Sequence, residues 1–392
     1  MLALIALSAC KPATTGDPCG DVFDGDSVET LAVELSEETL AALQDEFVGW
    51  EARRDAGLEA KPYHPVERLE YRCQTVFDAQ VRLKGNPCCS WDGEKMQLTF
   101  AFNQTRSSGR FQGLRKIALD APYYDPSLLR ERVAYAAFEQ MGQPASHVNH
   151  VRLDINGEYY GLFANIEVLD KEWLQDRLPR EDAEGTLWKL DYLAGRMEPR
   201  TNEDHADRAR WLAFTQADDL DTLDAYMDLE TSMEGWAAEV LVNQSDGYWV
   251  GGVNWMMYDH PRLGFQLLPW DLDNTFDRWP PNVAPTSRSG TFGPTRGMDL
   301  VLADPGLRQV YIDTVARRHA RVDPGELVAL ARDWDDQIRE HLEEDPHRPY
   351  PMEEHDEHVD ALVRAIRERH AFLAEWLEDE ASPGLRAERP TP

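Results

Sequence analysis

The sequence predicts an α+β protein with a strand-rich first half and a mainly helical second half. In several segments of the first half, apolar side chains alternate with polar ones, which is the period of β-strands. From about residue 204 onward, apolar side chains instead recur at helical spacing. Hydrophobic residues make up 42% of the 392 residues. A chain of this length and apolar content can bury a sizeable core in two or three lobes, which argues against wholesale disorder.

The first half combines four single strands, two helices and a hairpin. Alternation predicts strands over 28–35, 77–85, 95–102 and 115–119. Ser36 is a natural N-cap and predicts a helix directly after the first strand. The run Asp125-Pro126-Ser127 predicts the start of a second helix, with proline in its first turn. Residues 150–167 predict a hairpin with Asn156-Gly157 at its turn.

The second half is dominated by helical patterns. Helices are predicted over 206–215, 220–227, 232–242, 324–343 and 352–380. A further hairpin is predicted from strands at 254–258 and 265–270, with a turn between them. Residues 279–297 are rich in Pro, Gly, Ser and Thr and predict a long loop, and long loops are often functional.

The charge balance limits the kinds of partner. Lys plus Arg number 40 and Asp plus Glu number 72, so the formal net charge is 40 − 72 = −32. This field repels nucleic-acid backbones and argues against a nucleic-acid binder. A nucleotide ligand is still compatible, because a divalent cation can bridge carboxylates and phosphates. Among macromolecules, a basic polypeptide is the more natural partner.

The first ten residues have the character of an export signal. An apolar run ends in Leu7, Ser8, Ala9 and Cys10, which is similar to the lipobox of bacterial lipoproteins. We expect the Cys10 thiol to carry a lipid and 11–22 to form a tether, so that the protein is exported and lipid-anchored in the cell envelope. The run is short and lacks basic residues before it, so the alternative is a frayed apolar terminus. No later stretch approaches the ~18 apolar residues of a spanning helix.

Four further cysteines fit an oxidising compartment. They are Cys19, Cys73, Cys88 and Cys89, an even number that allows three pairings. Adjacent cysteines rarely pair with each other, because the ring that they close is strained. We therefore expect Cys88 and Cys89 each to bond to Cys19 or Cys73. A zinc site is the alternative, which the lack of a C-x-x-C pair disfavours.

Candidate metal ligands lie between residues 246 and 274. Asp271 and Asp273 directly follow an apolar run, and strand spacing would place both on one face. Two carboxylates so close repel each other unless a cation or proton lies between them. Mg²⁺ takes such oxygen ligands, and Asp246 and Asn254 precede them in the chain. The alternative is a turn, for which Asp-x-Asp-Asn is favourable.

A second group of candidate site residues is basic and lies in the first half of the sequence. Arg82, Lys84 and Lys95 lie on or beside predicted strands, and Arg130 lies in the predicted helix after Asp125. Such charges could bind phosphates, or they could be solvated on exposed faces. No GxxxxGK[ST], HExxH, GxSxG or GxGxxG motif occurs, which removes the enzyme classes with those signatures.

These two groups together, in their order along the chain, resemble the CotH kinase family over about residues 23–375. The matching stretches are 81–86, Lys95 in its strand, 111–119, 125–135, 151–163 with Glu167, Asp246 with 254–255, and 269–276. The resemblance implies an atypical protein-kinase-like bilobal fold. A strand-rich lobe (23–170) would bind the nucleotide, a helical lobe (171–380) would be catalytic, and 381–392 would be a tail.

The resemblance further implies transfer of the ATP γ-phosphate to Ser or Thr of a protein, with Mg²⁺ or else Mn²⁺ or Ca²⁺. The nucleotide would lie against Arg82, Lys84, Gly85, Lys95, Arg130 and Glu167. Among these, Lys95 is similar to the strand lysine that binds the α- and β-phosphates. Either Arg130 or Glu131 would make the contact between helix and lysine.

In the helical half, Asp246 resembles the catalytic base that accepts the proton of the substrate hydroxyl. Asn254, Asp271 and Asp273 resemble the metal ligands. One departure from the family lies after Gly85-Asn86, where Pro87-Cys88-Cys89 replaces a small polar residue and an aromatic one. The alternative functions are therefore a non-catalytic envelope lipoprotein that keeps the fold to bind a partner or cation, and a metal-dependent hydrolase.

Overall fold

A computed structural model describes residues 19–381 except 59–60, 86–89, 92, 122, 192–195 and 288–295. This part of the chain forms two β-sheets and eleven α-helices, which confirms the predicted α+β class. Cys10, Cys88, Cys89 and the tail beyond residue 381 lie outside the described residues, as does the middle of the predicted loop over 279–297.

Nine strands from the first half of the chain form one sheet. They are β1 (Glu29–Glu34), β2 (His64–Pro65), β3 (Arg68–Tyr71), β4 (Gln74–Val76), β5 (Gln80–Leu83), β6 (Leu98–Ala101), β7 (Lys116–Asp120), β8 (Val148–Ile155) and β9 (Glu158–Ile166). Their order is β2-β5-β6-β7-β9-β8-β1-β3-β4. The strands β1 and β8 pair in parallel, and all other neighbours are antiparallel. The predicted hairpin around Asn156-Gly157 is β8–β9.

The register of this sheet separates an apolar face from a polar one. Val81 and Leu83 of β5 are buried in a core with Leu98 and Leu119 of the neighbouring strands. Because side chains alternate along a strand, Arg82 points to the opposite face, and Lys84 continues that alternation just beyond the strand. The sequence pattern of β5 thus delivers two basic groups to the face away from this core.

Three helices accompany the sheet: α1 (Glu37–Val48), α2 (Trp50–Asp55) and α3 (Arg130–Gln140). The Ser36 hydroxyl accepts a hydrogen bond from the Thr39 N–H (3.1 Å), which confirms the predicted N-cap. The helix predicted from Asp125 begins only at Arg130, so that start was wrong. Leu128 has a left-handed φ of 58°, which interrupts a helix, and the Asp125 carboxylate caps the later start through the Arg130 N–H (2.9 Å).

The second half contains eight helices and a small sheet. The helices are α4 (Lys171–Arg177), α5 (Arg208–Thr215), α6 (Leu220–Asp224), α7 (Leu229–Leu241), α8 (Arg296–Ala303), α9 (Pro305–His319), α10 (Pro324–Glu343) and α11 (Met352–Ala381). The sheet has the order β11-β10-β12-β13, with β10 (Thr186–Asp191), β11 (Arg196–Pro199), β12 (Trp255–His260) and β13 (Gly264–Pro269). The predicted second hairpin is β12–β13, whereas α4, α8, α9 and the β10–β11 pair were not predicted.

One disulfide joins Cys19 to Cys73, with 5.2 Å between their Cα atoms. The expectation that Cys88 and Cys89 each bond to one of these two residues was therefore wrong, since Cys19 and Cys73 bond to each other. The bond fastens the segment before β1 to the β3–β4 turn. Within the described residues, no helix combines the length and the apolar character that crossing a membrane requires.

Candidate active site

Three carboxylates from distant parts of the chain meet at one point. Asp120 is the last residue of β7, Glu131 lies in the first turn of α3, and Asp271 follows β13 after one residue. Each offers an oxygen atom, and these atoms lie within 4.8 Å of one another. Asp120 and Glu131 are buried, and Asp271 is partly exposed. The large sheet, a helix and the small sheet thus each contribute one acidic group.

The backbone at Asp271 is held in an unusual conformation. Its φ of 59° and ψ of 67° place a non-glycine residue in the left-handed region. Two hydrogen bonds surround this residue: the Leu272 N–H donates to Glu131 Oε1 (3.3 Å), and the Gln244 amide donates to the Asp271 carbonyl (2.9 Å). Strained conformations of this kind concentrate at functional sites, where surrounding contacts maintain them.

Lys84 is the basic group that faces these carboxylates. Its ammonium forms an ion pair with Asp120, and its side chain is largely buried. Burial alone would lower the pKa of Lys84. The charges of Asp120, Asp271 and Glu131 outweigh that effect and raise the pKa well above its usual value, so Lys84 stays protonated.

Glu131 and Asp271 carry raised pKa values. Burial and the neighbouring charges of Asp120 and Asp271 raise the pKa of Glu131. Burial also raises the pKa of Asp271, against the opposing effect of Lys84. Glu131 Oε2 is buried and has no hydrogen-bond partner among the described residues. An orphaned carboxylate oxygen beside two further carboxylates fits a hard divalent cation, which would relieve their repulsion.

Asp246 and Asp273 extend the acidic group. Asp246 Oδ2 accepts hydrogen bonds from the side-chain amides of Asn254 (2.8 Å) and Asn274 (3.1 Å). The Asn274 amide also donates to Asp273 Oδ1 (2.9 Å), so it joins the two aspartates. Burial and the charge of Asp271 raise the pKa of Asp246 to about 8. Burial, followed by the charges of Asp271 and Asp246, raises the pKa of Asp273.

The structure distinguishes between Arg130 and Glu131. The Arg130 guanidinium forms two hydrogen bonds with Asp277 (2.8 and 2.9 Å) and one with the Tyr124 carbonyl (2.7 Å). It therefore connects α3 to the segment after β13. Glu131, the neighbouring residue, contacts the Leu272 backbone and interacts electrostatically with Lys84. Glu131, and not Arg130, is therefore the residue of α3 that interacts electrostatically with Lys84.

Lys95 is not brought to the carboxylate cluster. Its ammonium donates to Asp345 Oδ2 and to the Leu162 carbonyl, both at 2.5 Å, and lies 4.5 Å from the centre of the Phe163 ring. Asp345 lies between α10 and α11 and is fully buried. The structure thus places Lys84, and not Lys95, beside the acidic group. The phosphate-binding role expected for Lys95 therefore finds no support in its contacts, because its charge is already neutralised inside the protein.

Glu167 also lies in a structural ion pair. Its oxygens accept hydrogen bonds from the Arg177 guanidinium (3.0 and 2.6 Å), and His147 lies 2.9 Å from Oε2. Burial alone would raise the pKa of Glu167, but the hydrogen bond from His147 and the charge of Arg177 lower it to about 2. The expectation that this carboxylate faces the nucleotide therefore finds no support in its contacts.

The remaining predicted residues lie beside Lys84. Arg82 stacks on the Tyr63 ring, 4.7 Å from its centre. Gly85 has a φ of 79°, and an added Cβ would approach Ser90 Cβ to 2.5 Å. The Gly85 carbonyl accepts a hydrogen bond from the Lys61 ammonium (2.8 Å). A glycine is thus required here both by its backbone conformation and by the space available.

Sequence reasoning missed three residues at the site: Asp120, Asn274 and Lys189. The Lys189 ammonium lies 3.9 Å from the centre of the Trp270 ring and interacts with the charge of Asp271. Burial, with the nearby charge of Lys84, lowers the pKa of Lys189 to about 7. Asn274 could have been found from the Asp-x-Asp-Asn run, whereas nothing local marks Asp120.

An acidic cluster opposed by a buried lysine, between a strand-rich and a helical half, is the arrangement of a kinase-like phosphotransferase. The family model described as CotH kinase protein matches residues 81–373, about three quarters of the chain. The chain therefore belongs to the CotH kinase family, as its motifs predicted.

Individual relatives are distant. Inner spore coat protein H of Bacillus subtilis (strain 168) is 22% identical over 341 residues, which cover 80% of this chain and 91% of that protein. Among solved structures, the Helicobacter pylori proinflammatory kinase CtkA matches with a TM-score of 0.38 and 10% identity, covering 77% of this chain and 97% of that one. A chain of the Shewanella oneidensis MR-1 HipA–HipB toxin–antitoxin complex with operator DNA matches with a TM-score of 0.33 and 13% identity, covering 67% and 60%.

Proposed function

We propose that this protein transfers the γ-phosphoryl group of ATP to a Ser or Thr hydroxyl of a secreted or envelope protein, with the help of a divalent cation. The observation that carries the proposal is the position of Lys84 opposite Asp120, Glu131 and Asp271. Phosphoryl transfer needs little covalent chemistry from a protein and depends on positioning and on neutralising charge. Membership of the CotH kinase family supports the same reaction class.

The cation would be held by the three clustered carboxylates, with Asp273 beside them. When bound, Mg²⁺ or Mn²⁺ would neutralise negative charge on the phosphate oxygens. The residues fit this role because Glu131 Oε2 has no other partner among the described residues and because the carboxylates repel one another without a cation. Lys84 lies at the same cluster and is protonated, so it can donate hydrogen bonds to the phosphate chain.

Asp246 is the group that we assign to the acceptor hydroxyl. Two amides fix one of its oxygens, Oδ2, while Oδ1 has no hydrogen-bond partner among the described residues. The free oxygen can accept the hydroxyl proton and orient the nucleophile. The pKa of about 8 reflects burial and the charge of Asp271. Neutralisation of Asp271 by a cation would bring the pKa of Asp246 down toward the working pH.

Placement in the envelope rests on the N-terminal sequence, and the disulfide supports it. Disulfides persist in oxidising compartments such as the periplasm and the cell surface. The Cys19–Cys73 bond therefore agrees with export and with a lipid on Cys10. The acceptor would then be a protein of the same compartment.

The experiment is transfer of labelled phosphate from ATP in the presence of Mg²⁺ or Mn²⁺, with the protein itself and a mixture of envelope proteins as acceptors. Asp246→Asn and Asp271→Asn should each reduce transfer by about 100-fold or more. Asp360→Asn, which removes an exposed carboxylate paired with Arg332, is the matched control and should leave transfer unchanged. Unchanged transfer in Asp246→Asn would refute the role of Asp246.

A non-catalytic protein that keeps the fold to bind a cation or a partner is the second candidate. The specific observation in its favour is the Pro87-Cys88-Cys89 sequence, which replaces the usual continuation after Gly85-Asn86. Calorimetry discriminates between the two candidates. Binding of a divalent cation without binding of ATP under any cation would support the non-catalytic role.

A further inference from the structure

Basic side chains continue beyond Lys84 on the large sheet and on the small sheet. This basic wall consists of Lys61, Arg82, Lys116, Lys189 and Arg200. Arg82 of β5 pairs with Thr99 of β6, and Thr99 pairs with Ala118 of β7. These residues therefore share one face of the large sheet. Lys116 precedes Ala118 by two residues on β7 and lies on the same face. Lys189 lies in β10 of the small sheet, and Arg200 directly follows β11 of the same sheet.

Arg200 forms an ion pair with Asp191 (3.2 Å), but the rest of the basic wall is not neutralised in this way within the described part of the chain. Among the described residues, Arg82, Lys116 and Lys189 form no ion pair, and the Arg82 Nε atom is buried without a hydrogen-bond partner. Asp170, which interacts with the charge of Lys116, accepts hydrogen bonds from the first turn of α4. In a chain with 72 acidic and 40 basic residues, a group of basic side chains without such partners requires an explanation.

The members of the wall destabilise one another's charges. Burial and the charge of Arg82 lower the pKa of Lys61 to about 8. Burial lowers the pKa of Lys116, and Arg82 lowers it further. Lys189 also interacts unfavourably with the charges of Lys84 and Lys61. A partly buried group of like charges is costly to the free protein, and a bound anion would offset that cost.

A triphosphate at the carboxylate cluster would leave most of this wall unused. Lys84 faces that cluster directly, whereas Lys116 lies four residues before Asp120 on β7, about 13 Å along the strand. Thr99, Ala101 and Ala118 share the intervening face and have small side chains. An uncharged nucleoside along this face would bring no anionic group to Arg82 or Lys116.

We propose that the candidate active site binds a ligand with a phosphate group beyond the three of a nucleoside triphosphate, and that the basic wall holds this additional phosphate. The inference rests on the proposed function, since Lys84 and the carboxylate cluster are taken to hold the triphosphate itself. Two sources share this chemistry: a longer chain of inorganic polyphosphate, and a nucleotide that is also phosphorylated on its ribose.

Two matched pairs of ligands separate these sources. Calorimetry with Mg²⁺ would compare tripolyphosphate with a longer linear polyphosphate, and ATP with adenosine 3′-diphosphate 5′-triphosphate. We expect the more phosphorylated member of at least one pair to bind about tenfold or more tightly, as one added charge-assisted hydrogen bond predicts. The pair that shows the difference identifies the source.

Substitutions in the basic wall test whether the wall causes the difference in affinity between the two ligands of a pair. Lys116→Ala and Lys189→Ala should each reduce the affinity ratio within the responding pair toward one. Arg332→Ala removes an exposed guanidinium paired with Asp360 and should leave the ratio unchanged. A ratio that is equally large in Lys116→Ala and Lys189→Ala would overturn the assignment to the wall.

The failure of this inference is distinguishable from the failure of the proposed function. If tripolyphosphate or ATP binds with Mg²⁺ and neither more phosphorylated ligand binds more tightly, the additional phosphate site is refuted and the proposed kinase site stands. If none of the four ligands binds, both the additional site and the proposed function are refuted.

Discussion

Lys84 and Asp120 form an ion pair across the strand that separates them. Lys84 follows β5, Asp120 ends β7, and β6 lies between these strands. The Lys84 N–H also donates to the Gln97 carbonyl (2.8 Å), so the lysine is fixed at the end of this strand pair. Asp120 in turn belongs to the carboxylate cluster with Glu131 and Asp271. One ion pair thus couples the basic face of the sheet to the candidate metal site.

Substitution of Lys84 should abolish nucleotide binding. Lys84→Met removes the protonated group that faces the carboxylates, so calorimetry with ATP and Mg²⁺ should show at least about a 100-fold loss of affinity. Lys95→Met is the matched comparison, because it removes a buried lysine on the same lobe whose ammonium is held by Asp345. Its folded fraction should bind ATP as the wild type does. A large loss of ATP affinity in Lys95→Met, with little loss in Lys84→Met, would show that Lys95 binds the phosphates instead.

The buried pair of Lys95 and Asp345 should instead govern stability. Lys95→Met leaves an uncompensated buried carboxylate and should lower the free energy of unfolding by about 3–5 kcal/mol, measured by urea denaturation. Lys95→Met combined with Asp345→Leu should be less unstable than the sum of the two single changes. Strict additivity would show that the two residues do not act as a pair.

Binding of a divalent cation should release protons. Burial and the charge of Asp271 raise the pKa of Asp246 to about 8, so protons are retained on this group at pH 7 when no cation is present. The pKa values of Glu131, Asp271 and Asp273 are raised in the same direction. A cation binds the deprotonated form and displaces the protons. The calorimetric heat of Mg²⁺ binding at pH 7 should therefore differ between Tris and PIPES buffers, and Asp271→Asn should reduce the difference. Equal heats in both buffers would contradict the raised pKa values.

Glu167 should contribute to stability at neutral pH and lose this contribution in acid. Its pKa falls from 4.5 to about 2 on folding, so the stabilisation is complete above 4.5 and disappears as the pH falls toward 2. A change of this size corresponds to roughly 3 kcal/mol. Glu167→Gln should therefore lower the free energy of unfolding markedly at pH 7 and much less at pH 2.5. The same loss at both pH values would count against an ionic role.

Local signals in the sequence predicted much of the fold. Asn156-Gly157 defines a hairpin turn through its own backbone preferences, and α10 was predicted at its observed bounds. The late start of α3 was missed because the left-handed Leu128 is not a feature of the local sequence. The same holds for the Cys19–Cys73 pairing, which depends on where the β3–β4 turn meets the segment before β1.

Only part of the site could be predicted, because some of its residues meet through contacts between distant parts of the chain. Asp271 and Asp273 lie two residues apart directly after an apolar run, and Asp246 precedes them in the chain, so their types and spacing revealed them. Asp120 has no such context and reaches the cluster only through strand pairing. The choice between Lys84 and Lys95 depends on Asp345, a residue 250 positions after Lys95. No pattern within either strand contains that information.

The most direct test of the account is a crystal structure with a non-hydrolysable ATP analogue and Mg²⁺. The account predicts a cation between Asp120, Glu131 and Asp271, phosphate oxygens in contact with the Lys84 ammonium, and Asp246 Oδ1 facing the γ-phosphate. A cation and phosphates bound elsewhere, with Lys84 still paired to Asp120 and the carboxylate cluster empty, would contradict it.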